Sequence, residues 1–176
     1  MRIIGGKFKG LKLAAPYLAD TRPTTDLARE SLFNILEHLI DLKNSKALDL
    51  FCGTGSITFE LLSREAEEVT AVDTNNKALQ FIRDQSAKWD CQVKVVKSDV
   101  FRFLLFDKHQ YDLIFADPPY SNKHIGEIPD YVFKKDMLNP NGLLIVEHGK
   151  ETDLSHKPGF SEVRQYGRVH FSFFKK

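Results

Sequence analysis

The sequence predicts an α/β fold built on a doubly wound parallel sheet, and two features lead to this prediction. Short aliphatic segments recur from residue 47 onward, and such segments are typical of strands buried on both faces. Segments with helical periodicity separate them, which favours parallel strands joined by crossover helices. The end of the chain differs, because two strand-like segments flank Tyr166-Gly167 and predict a final antiparallel hairpin.

The elements follow in order along the chain. Residues 2–4 and 11–14 predict a short hairpin, after which Thr24, Thr25 and Asp26 predict the cap of a helix that ends near residue 40. The apolar face of this helix contains Leu27, Leu32, Phe33, Leu36, Leu39 and Ile40. Strands are predicted at 47–51, 69–73, 93–97, 111–117 and 142–147, with the hairpin strands at 160–165 and 168–174. Helices are predicted at 56–64, 75–88, 101–106 and about 123–137.

The composition is that of one folded domain with a small extension. The chain has 176 residues, and 25 Lys and Arg oppose 24 Asp and Glu, which gives a net charge of +1. No apolar segment reaches the roughly 20 residues that span a bilayer, and the first residues lack the apolar core of a signal peptide. Cys52 and Cys91 are too few and too far apart for a metal cluster. We therefore expect reduced thiols, a cytoplasmic location, no metal, no membrane partner and a monomer.

The near-neutral net charge of the chain conceals a basic N-terminal segment. Residues 1–13 carry Arg2, Lys7, Lys9 and Lys12 and no acid, a local charge of +4. Basic side chains among glycines suit an arm that follows a nucleic-acid backbone. They also suit a hairpin whose lysines protect a strand edge. Composition alone leaves both interpretations open.

A glycine-containing turn follows the first strand of the sheet. Residues 49–56 read DLFCGTGS, and Gly53 and Gly55 would let the backbone approach a ligand closely. Position 58 is Thr instead of the third glycine of a dinucleotide fingerprint, and there is no Gly-Lys-Ser/Thr, so a pyrophosphate ligand is disfavoured. A tight strand-to-helix turn without a ligand would also explain both glycines.

Acids occur near the ends of three strands, where parallel sheets bind ligands. Asp73 ends the second strand, 18 residues after Gly55, and could accept hydrogen bonds from both hydroxyls of a ribose. Asp99 follows the third strand and could accept from an adenine amino group, while Asp49 could accept from an ammonium group. Each acid alone is typical of a polar strand end. Together they predict a nucleoside pocket without a phosphate cradle, and S-adenosylmethionine is such a ligand.

The segment Asp117-Pro118-Pro119-Tyr120 ends the fourth strand, because two prolines cannot donate to a ladder. It could simply be a stiff loop. The functional interpretation is methyl transfer to an exocyclic amine, in which the Asp117 carboxylate and the Pro118 carbonyl accept the N–H bonds and proline rigidity holds them in place. Tyr120 would offer a stacking face to a flipped base. This chemistry needs positioning and electrostatics, without a metal or a covalent enzyme intermediate.

These motifs resemble those of a known family. Asp117–Tyr120 resembles the D/N-PP-Y/F motif of amino-group methyltransferases that act on nucleic acids, and DLFCGTGS resembles their S-adenosylmethionine-binding motif. The opening MRIIGGKFKGLKL and the segment RPTTDLARESLFNIL (Arg22–Leu36) resemble the bacterial 16S rRNA guanine-N2 methyltransferase family over essentially the full length. The resemblance implies a Rossmann-like class I methyltransferase with seven strands, the last of them antiparallel. It implies an N-terminal basic hairpin over residues 1–23 and a methyltransferase domain over residues 24–176.

The resemblance also implies a cofactor, a partner and site residues. The cofactor is S-adenosylmethionine, and the partner is 16S rRNA in an assembling or assembled 30S particle. The implied cofactor site contains Asp49, Phe51, Gly53, Gly55, Asp73, Thr74, Asp99, Val100 and Asp117, and the amine site contains Asp117, Pro118, Pro119 and Tyr120. The implied RNA contacts are Arg2, Lys7, Lys9, Lys12, Arg22, Thr24, Thr25 and Arg29. Glu65 departs from the family, because it stands where a glycine is common after the first core helix.

Three functions stay open on the sequence. The first is methylation of a guanine N2 amine in 16S rRNA, and the second is methylation of adenine N6 or another amine of DNA or RNA. The third is a non-catalytic RNA-binding assembly factor. Asp117–Tyr120 alone does not separate the first two, although 176 residues leave no room for a separate DNA-recognition domain. The complete set of acids, glycines and the Asp-Pro-Pro-Tyr segment argues against the third.

Overall fold

A seven-stranded sheet with the order β3-β2-β1-β4-β5-β7-β6 forms the centre of the computed structural model, which describes residues 1–17 and 25–176. The strands are β1 (Lys46–Leu50), β2 (Glu68–Asp73), β3 (Lys94–Lys97), β4 (Tyr111–Ala116), β5 (Leu138–His148), β6 (Phe160–Tyr166) and β7 (Val169–Lys175). The first five are parallel to one another, whereas β7 is antiparallel to both β5 and β6. This confirms the predicted fold class, including the antiparallel end.

Helices cover both faces of this sheet. They are α1 (Asp26–Leu39), α2 (Ser56–Ser63), α3 (Asn76–Lys88), α4 (Val100–Phe106) and α5 (Glu127–Lys134). One apolar core joins α1, α2 and α3 to the sheet, and a second joins α4 and α5 to the opposite face. The predicted helix at 123–137 is shorter in the structure. Pro129 is the third residue of α5, where its missing N–H is harmless because first-turn N–H groups have no partner within the helix.

The buried face of α1 corrects part of the prediction. Leu32, Phe33 and Leu36 are buried as expected, and the Thr25 hydroxyl caps the helix by accepting from the N–H of Ala28. Leu27 is 72% exposed and Leu39 is 39% exposed, so their predicted place in the core was wrong. Leu27 points away from the buried face by helical periodicity, and Leu39 is the last residue of the helix.

The N-terminal segment forms a hairpin with a single bridge between Arg2 and Lys12. Its turn lies on the end of α2, where the N–H of Lys7 donates to the Ser63 carbonyl at 2.6 Å and the N–H of Phe8 donates to Ser63 Oγ at 3.0 Å. A Cβ at Gly6, which has a φ of +73°, would lie 2.0 Å from the Ser63 carbonyl oxygen. Only glycine therefore allows the hairpin to approach α2 this closely.

A buried ion network fixes the hairpin to the helices. Glu60 of α2 is fully buried, and its Oε1 accepts from the N–H of Ile4 at 2.6 Å and lies 3.5 Å from Arg29 Nε. Its other oxygen pairs with Arg64. The side chain of Arg29 is 2% exposed and donates to the Arg2 carbonyl at 2.7 Å. The network thus joins the hairpin, α1 and α2 through one carboxylate.

Glu65 follows the C-cap of α2 with a φ of +60°. This left-handed conformation favours glycine and costs another residue about 1 kcal/mol. Glu65, which stands where the family that the sequence resembles commonly has a glycine, therefore occupies a position whose backbone conformation suits glycine. No helix in the described ranges is long and apolar enough to cross a bilayer.

We expect Glu60→Ala to lower the free energy of unfolding by about 3–5 kcal/mol, because it leaves two buried guanidinium groups without their shared carboxylate. Urea unfolding measures this change. Glu68→Ala is the control, since Glu68 lies 3.9 Å from Lys46 in an exposed pair and its loss should cost less than about 1 kcal/mol. Equal losses in the two variants would show that Glu60 does not hold the hairpin.

Candidate functional site

Acidic side chains gather at the carboxyl edge of the parallel sheet. In spatial order, Asp99, Asp73, Asp49, Asp117 and Glu147 lie at or near the ends of β3, β2, β1, β4 and β5. Sheets of this type bind ligands at this edge, so the four predicted aspartates share one region. Sequence reasoning missed Glu147, because it ends a strongly aliphatic segment and was assigned only to a strand.

The two glycines after β1 serve different purposes. A Cβ at Gly55, which has a φ of +84°, would lie 2.9 Å from the Ile82 side chain, so packing beneath the turn excludes a larger residue. A Cβ at Gly53, which has a φ of +51°, would meet nothing within 4 Å. Gly53 therefore borders open space at the sheet edge, as expected for a close approach to a ligand. Phe51 also has a positive φ of +59°, which the sequence did not indicate.

Asp73 holds the glycine turn in place. Its Oδ2 accepts from the N–H of Gly53 at 2.9 Å, and its Oδ1 accepts from the N–H of Asn75 at 2.8 Å. Each carboxylate oxygen has a second lone pair, so Asp73 can also accept from ribose hydroxyls. Thr74 is exposed directly after it. The glycine turn and the carboxylate predicted to bind a ribose are therefore parts of one structure.

Asp99 and Val100 begin α4 beside this edge. Asp99 is exposed, and its Oδ1 caps the helix by accepting from the N–H of Arg102 at 2.9 Å, while Val100 is buried. The ring of Phe101 lies 6.3 Å from the ring of Phe51. An apolar surface thus adjoins the acid that was predicted to accept from an adenine amino group.

Asp49 is a buried carboxylate at the centre of the edge. Its Oδ2 accepts from the N–H and the hydroxyl of Thr58 at 2.9 and 2.5 Å. Burial raises the pKa of Asp49 to about 7, the Thr58 bonds oppose this rise, and the charge of Asp73 adds to it. A cationic ligand would relieve the cost of this buried charge, so the site fits the ammonium group of S-adenosylmethionine. Thr58, which stands at the position of the third glycine of a dinucleotide fingerprint, thus holds the Asp49 carboxylate in place through two hydrogen bonds.

The Asp117–Tyr120 segment leaves β4 beside Asp49. Burial raises the pKa of Asp117 well above its usual range, and the carboxylates of Glu147 and Asp49 raise it further. Pro118 is buried, whereas Pro119 and Tyr120 are exposed. The Tyr120 hydroxyl donates to Glu147 Oε1 at 3.3 Å. Tyr120 therefore presents a ring to solvent while its hydroxyl is held by a buried acid.

The residues predicted to contact RNA lie on different parts of the protein surface. Arg2 and Lys12 are exposed beside the first turn of α1, where Arg2 lies 3.6 Å from Asp26. Lys7 and Lys9 are exposed at the far end of α2, which carries them about 12 Å from the carboxyl edge at 1.5 Å per helical residue. An RNA that contacts both sets has to cover the whole length of the hairpin.

The remaining predicted RNA contacts differ in accessibility. Thr25 is exposed and serves as the cap of α1. Arg29 is buried in the network with Glu60, so its side chain has no free surface for RNA and we remove it from the proposed contacts. Arg22 and Thr24 lie outside the described residues. Within residues 1–17 and 25–176, no group of three or more His, Cys, Asp or Glu is arranged to hold a metal ion.

The family model described as conserved hypothetical protein 95 matches residues 1–175. The chain belongs to this family. A relative, ribosomal RNA small subunit methyltransferase D of Escherichia coli, is 32% identical over 159 residues, which cover 90% of this chain and 79% of that protein. The protein of the same name from Buchnera aphidicola is 30% identical over 179 residues, which cover 99% and 91%.

A solved structure supports the fold assignment of this member of the conserved hypothetical protein 95 family. It is the 16S rRNA N2-guanine methyltransferase RsmC of Thermus thermophilus in complex with AdoMet and guanosine. Its TM-score is 0.71 at 19% identity, and the match covers 100% of this chain and 49% of that one. At this identity the likeness shows the class I methyltransferase fold.

We expect Asp49→Asn to raise the melting temperature of the protein without added cofactor at pH 8. The pKa of Asp49 is about 7 in the folded protein and about 4 in an unfolded chain, so ionisation destabilises the fold above pH 7. The gain should therefore shrink as the pH falls from 7 toward 4. Calorimetry across this range measures it, with Asp84→Asn on the exposed face of α3 as the control. A gain that does not depend on pH would contradict the buried-charge interpretation.

Proposed function

We propose that this chain transfers a methyl group from S-adenosylmethionine to the N2 amine of a guanine in 16S rRNA. The observation that carries the proposal is the Asp-Pro-Pro-Tyr segment beside the buried Asp49, at the ligand-binding edge of a methyltransferase fold. Two relatives are named ribosomal RNA small subunit methyltransferase D, which supports rRNA of the small subunit as the substrate. The RsmC neighbour, which holds AdoMet and guanosine, supports the guanine amine.

Three acids and one glycine would bind the cofactor. Asp49 accepts from its ammonium group, Asp73 from its ribose hydroxyls and Asp99 from its adenine amine, while Gly53 leaves space for it along the turn. When bound, S-adenosylmethionine supplies an electrophilic methyl group on a sulfonium. Its positive charge also favours ionised carboxylates nearby, because opposite charges stabilise each other strongly where water is excluded.

Asp117 and Pro118 would prepare the amine for attack. The nitrogen lone pair of an exocyclic amine is delocalised into the ring, and two acceptors on its N–H bonds favour a tetrahedral nitrogen. The Asp117 carboxylate is one acceptor and the Pro118 carbonyl is the other, held by the two prolines. Asp117 accepts at both oxygens only when it is ionised, and a sulfonium charge bound beside it would favour that form.

The basic hairpin would bind the RNA backbone. Arg2, Lys7, Lys9 and Lys12 are exposed along its length, and phosphate contacts of this kind position an RNA without reading its sequence. Tyr120 offers its exposed ring for stacking on the flipped guanine. We propose that the chain acts as a monomer on the 30S particle or its precursor.

We expect Asp117→Ala to lower methyl transfer by at least about 10²–10³-fold while the Kd of the cofactor changes by less than about tenfold. Labelled-methyl transfer is measured on undermethylated 30S particles, naked 16S RNA and duplex DNA, and cofactor binding is measured by calorimetry. Asp130→Ala on the surface of α5 is the control. Near-normal turnover of Asp117→Ala would overturn the amine-site mechanism. Transfer to DNA or to adenine alone would favour the adenine-N6 alternative, and cofactor binding without any transfer would favour an assembly factor.

Replacing Lys7, Lys9 and Lys12 with alanine should weaken RNA binding and reduce its salt dependence. Each lost phosphate contact lowers the slope of log K against log salt by about one unit. Binding to 16S RNA at several salt concentrations measures the slope. Lys88→Ala and Lys94→Ala, on α3 and β3, are the controls and should change the slope less per lysine. An unchanged slope in the hairpin variant would remove the hairpin from the RNA-contact surface.

A further inference from the structure

Glu147 and Asp117 lie side by side on neighbouring parallel strands. Ala116 of β4 is paired with Val146 of β5, so the next residues along the two strands are Asp117 and Glu147. Their side chains project to one face, since Phe115 and Ile145, two residues earlier, belong to the same core. Neighbouring strands are about 4.8 Å apart, which places the two carboxyl groups next to each other.

Glu147 also contacts the other end of the Asp-Pro-Pro-Tyr segment. It is 2% exposed, and its Oε1 accepts the Tyr120 hydroxyl at 3.3 Å. A Cβ at Gly149 would lie 3.4 Å from the Tyr120 ring, so the ring packs closely against the chain that follows β5. One buried carboxyl group therefore touches Tyr120 and adjoins Asp117, the two side chains proposed to meet the target base.

We propose that Glu147 is a positioning residue of the amine site, which shares a proton with Asp117 and fixes the Tyr120 ring through its hydroxyl. This inference rests on the proposed function and deepens it. Two carboxyl groups this close do not both ionise readily, because like charges in a buried site repel each other. The arrangement makes Asp117 a better proton acceptor than an isolated aspartate.

With a cation bound beside it, the pair would release its shared proton and could then take up the proton that the amine must lose. As the new N–C bond forms and the S–C bond breaks, the N2 nitrogen gains a methyl group and a positive charge. One N–H proton then passes to the Asp117 carboxylate, leaving a neutral methylated amine. The negative charge of Glu147 stabilises the protonated Asp117, and the proton leaves for water when the product departs.

Other titratable groups lie beside the pair on the neighbouring strand and loop. Asp49 of β1 lies on the same face and favours the protonated pair, and Tyr120 donates to it. His148 follows Glu147 and therefore points to the opposite face, where its Nε2 lies 2.8 Å from Ser172 Oγ and its ring stacks on His170. The two histidines thus belong to a separate polar group.

Two variants separate the charge of Glu147 from its hydrogen bond. Glu147→Gln removes the negative charge and keeps an oxygen that can accept the Tyr120 hydroxyl. Tyr120→Phe removes the hydroxyl and keeps the charge. Glu162→Gln on β6 is the matched control, because it makes the same substitution at a half-exposed position on the adjoining hairpin.

The first measurement does not depend on catalysis. A carboxyl ¹³C NMR titration of the protein without added cofactor reports the pKa of Asp117 directly. We expect this pKa to fall by about one unit or more in Glu147→Gln and to stay unchanged in Glu162→Gln. An unchanged pKa in Glu147→Gln would overturn the inference. If Glu147→Gln fails to fold, Asp117→Asn gives the same test from the other side, because the pKa of Glu147 should then fall.

The second measurement is the pH profile of single-turnover transfer to undermethylated 30S particles. Glu147→Gln should move the acidic limb of the profile to lower pH, whereas Tyr120→Phe should raise the KM for the particle several-fold and leave that limb in place. Identical profiles and KM values in all variants would overturn the inference. If the unaltered protein methylates no substrate, the proposed function fails, and the NMR titration still decides whether the pair exists.

Discussion

Buried carboxyl groups at the carboxyl edge of the sheet are the constraint around which this molecule is built. Glu60 is also buried but lies away from this edge, and the contrast between the two places is informative. Glu60 is neutralised from within by Arg29 and Arg64, so it is a closed structural network. Asp49 is held by the neutral donors of Thr58, and Asp117 adjoins two further carboxylates. Glu60 is thus paired with cations of the chain itself, whereas the acids at the edge suit the positively charged ligand that we propose.

The surrounding elements can be understood from this constraint. The parallel strands all end at one edge of the sheet. Strand pairing alone therefore brings together acids that are far apart in sequence. The first turn of α2 offers its Thr58 N–H to Asp49, and the glycine turn is tied to Asp73 through the N–H of Gly53. Backbone N–H groups thus donate to two of these acids.

The sequence predicted the parts of the molecule that depend on local pattern. Aliphatic segments located the strands, and Asp117–Tyr120 was predicted correctly to end β4, because prolines constrain the backbone wherever they stand. The burial of Arg29 could not be predicted, since it depends on Glu60, which lies in another helix. Glu147 was missed for a related reason, because its neighbours Asp117 and Tyr120 become neighbours only when β4 and β5 pair. The left-handed conformation of Phe51 was not predicted either, because bulky residues rarely adopt it.

The contact between the hairpin and α2 has a consequence for how the chain folds during synthesis. The N–H of Ile4 reaches Glu60 across 56 positions of sequence, and the Lys7 N–H bonds to the end of the same helix. The hairpin leaves the ribosome before α2, yet its docking surface exists only after α2 and the neighbouring strand β1 have been made. The hairpin therefore docks only after α2 has formed. Because its contacts with α2 are non-local in sequence, we expect them to form slowly.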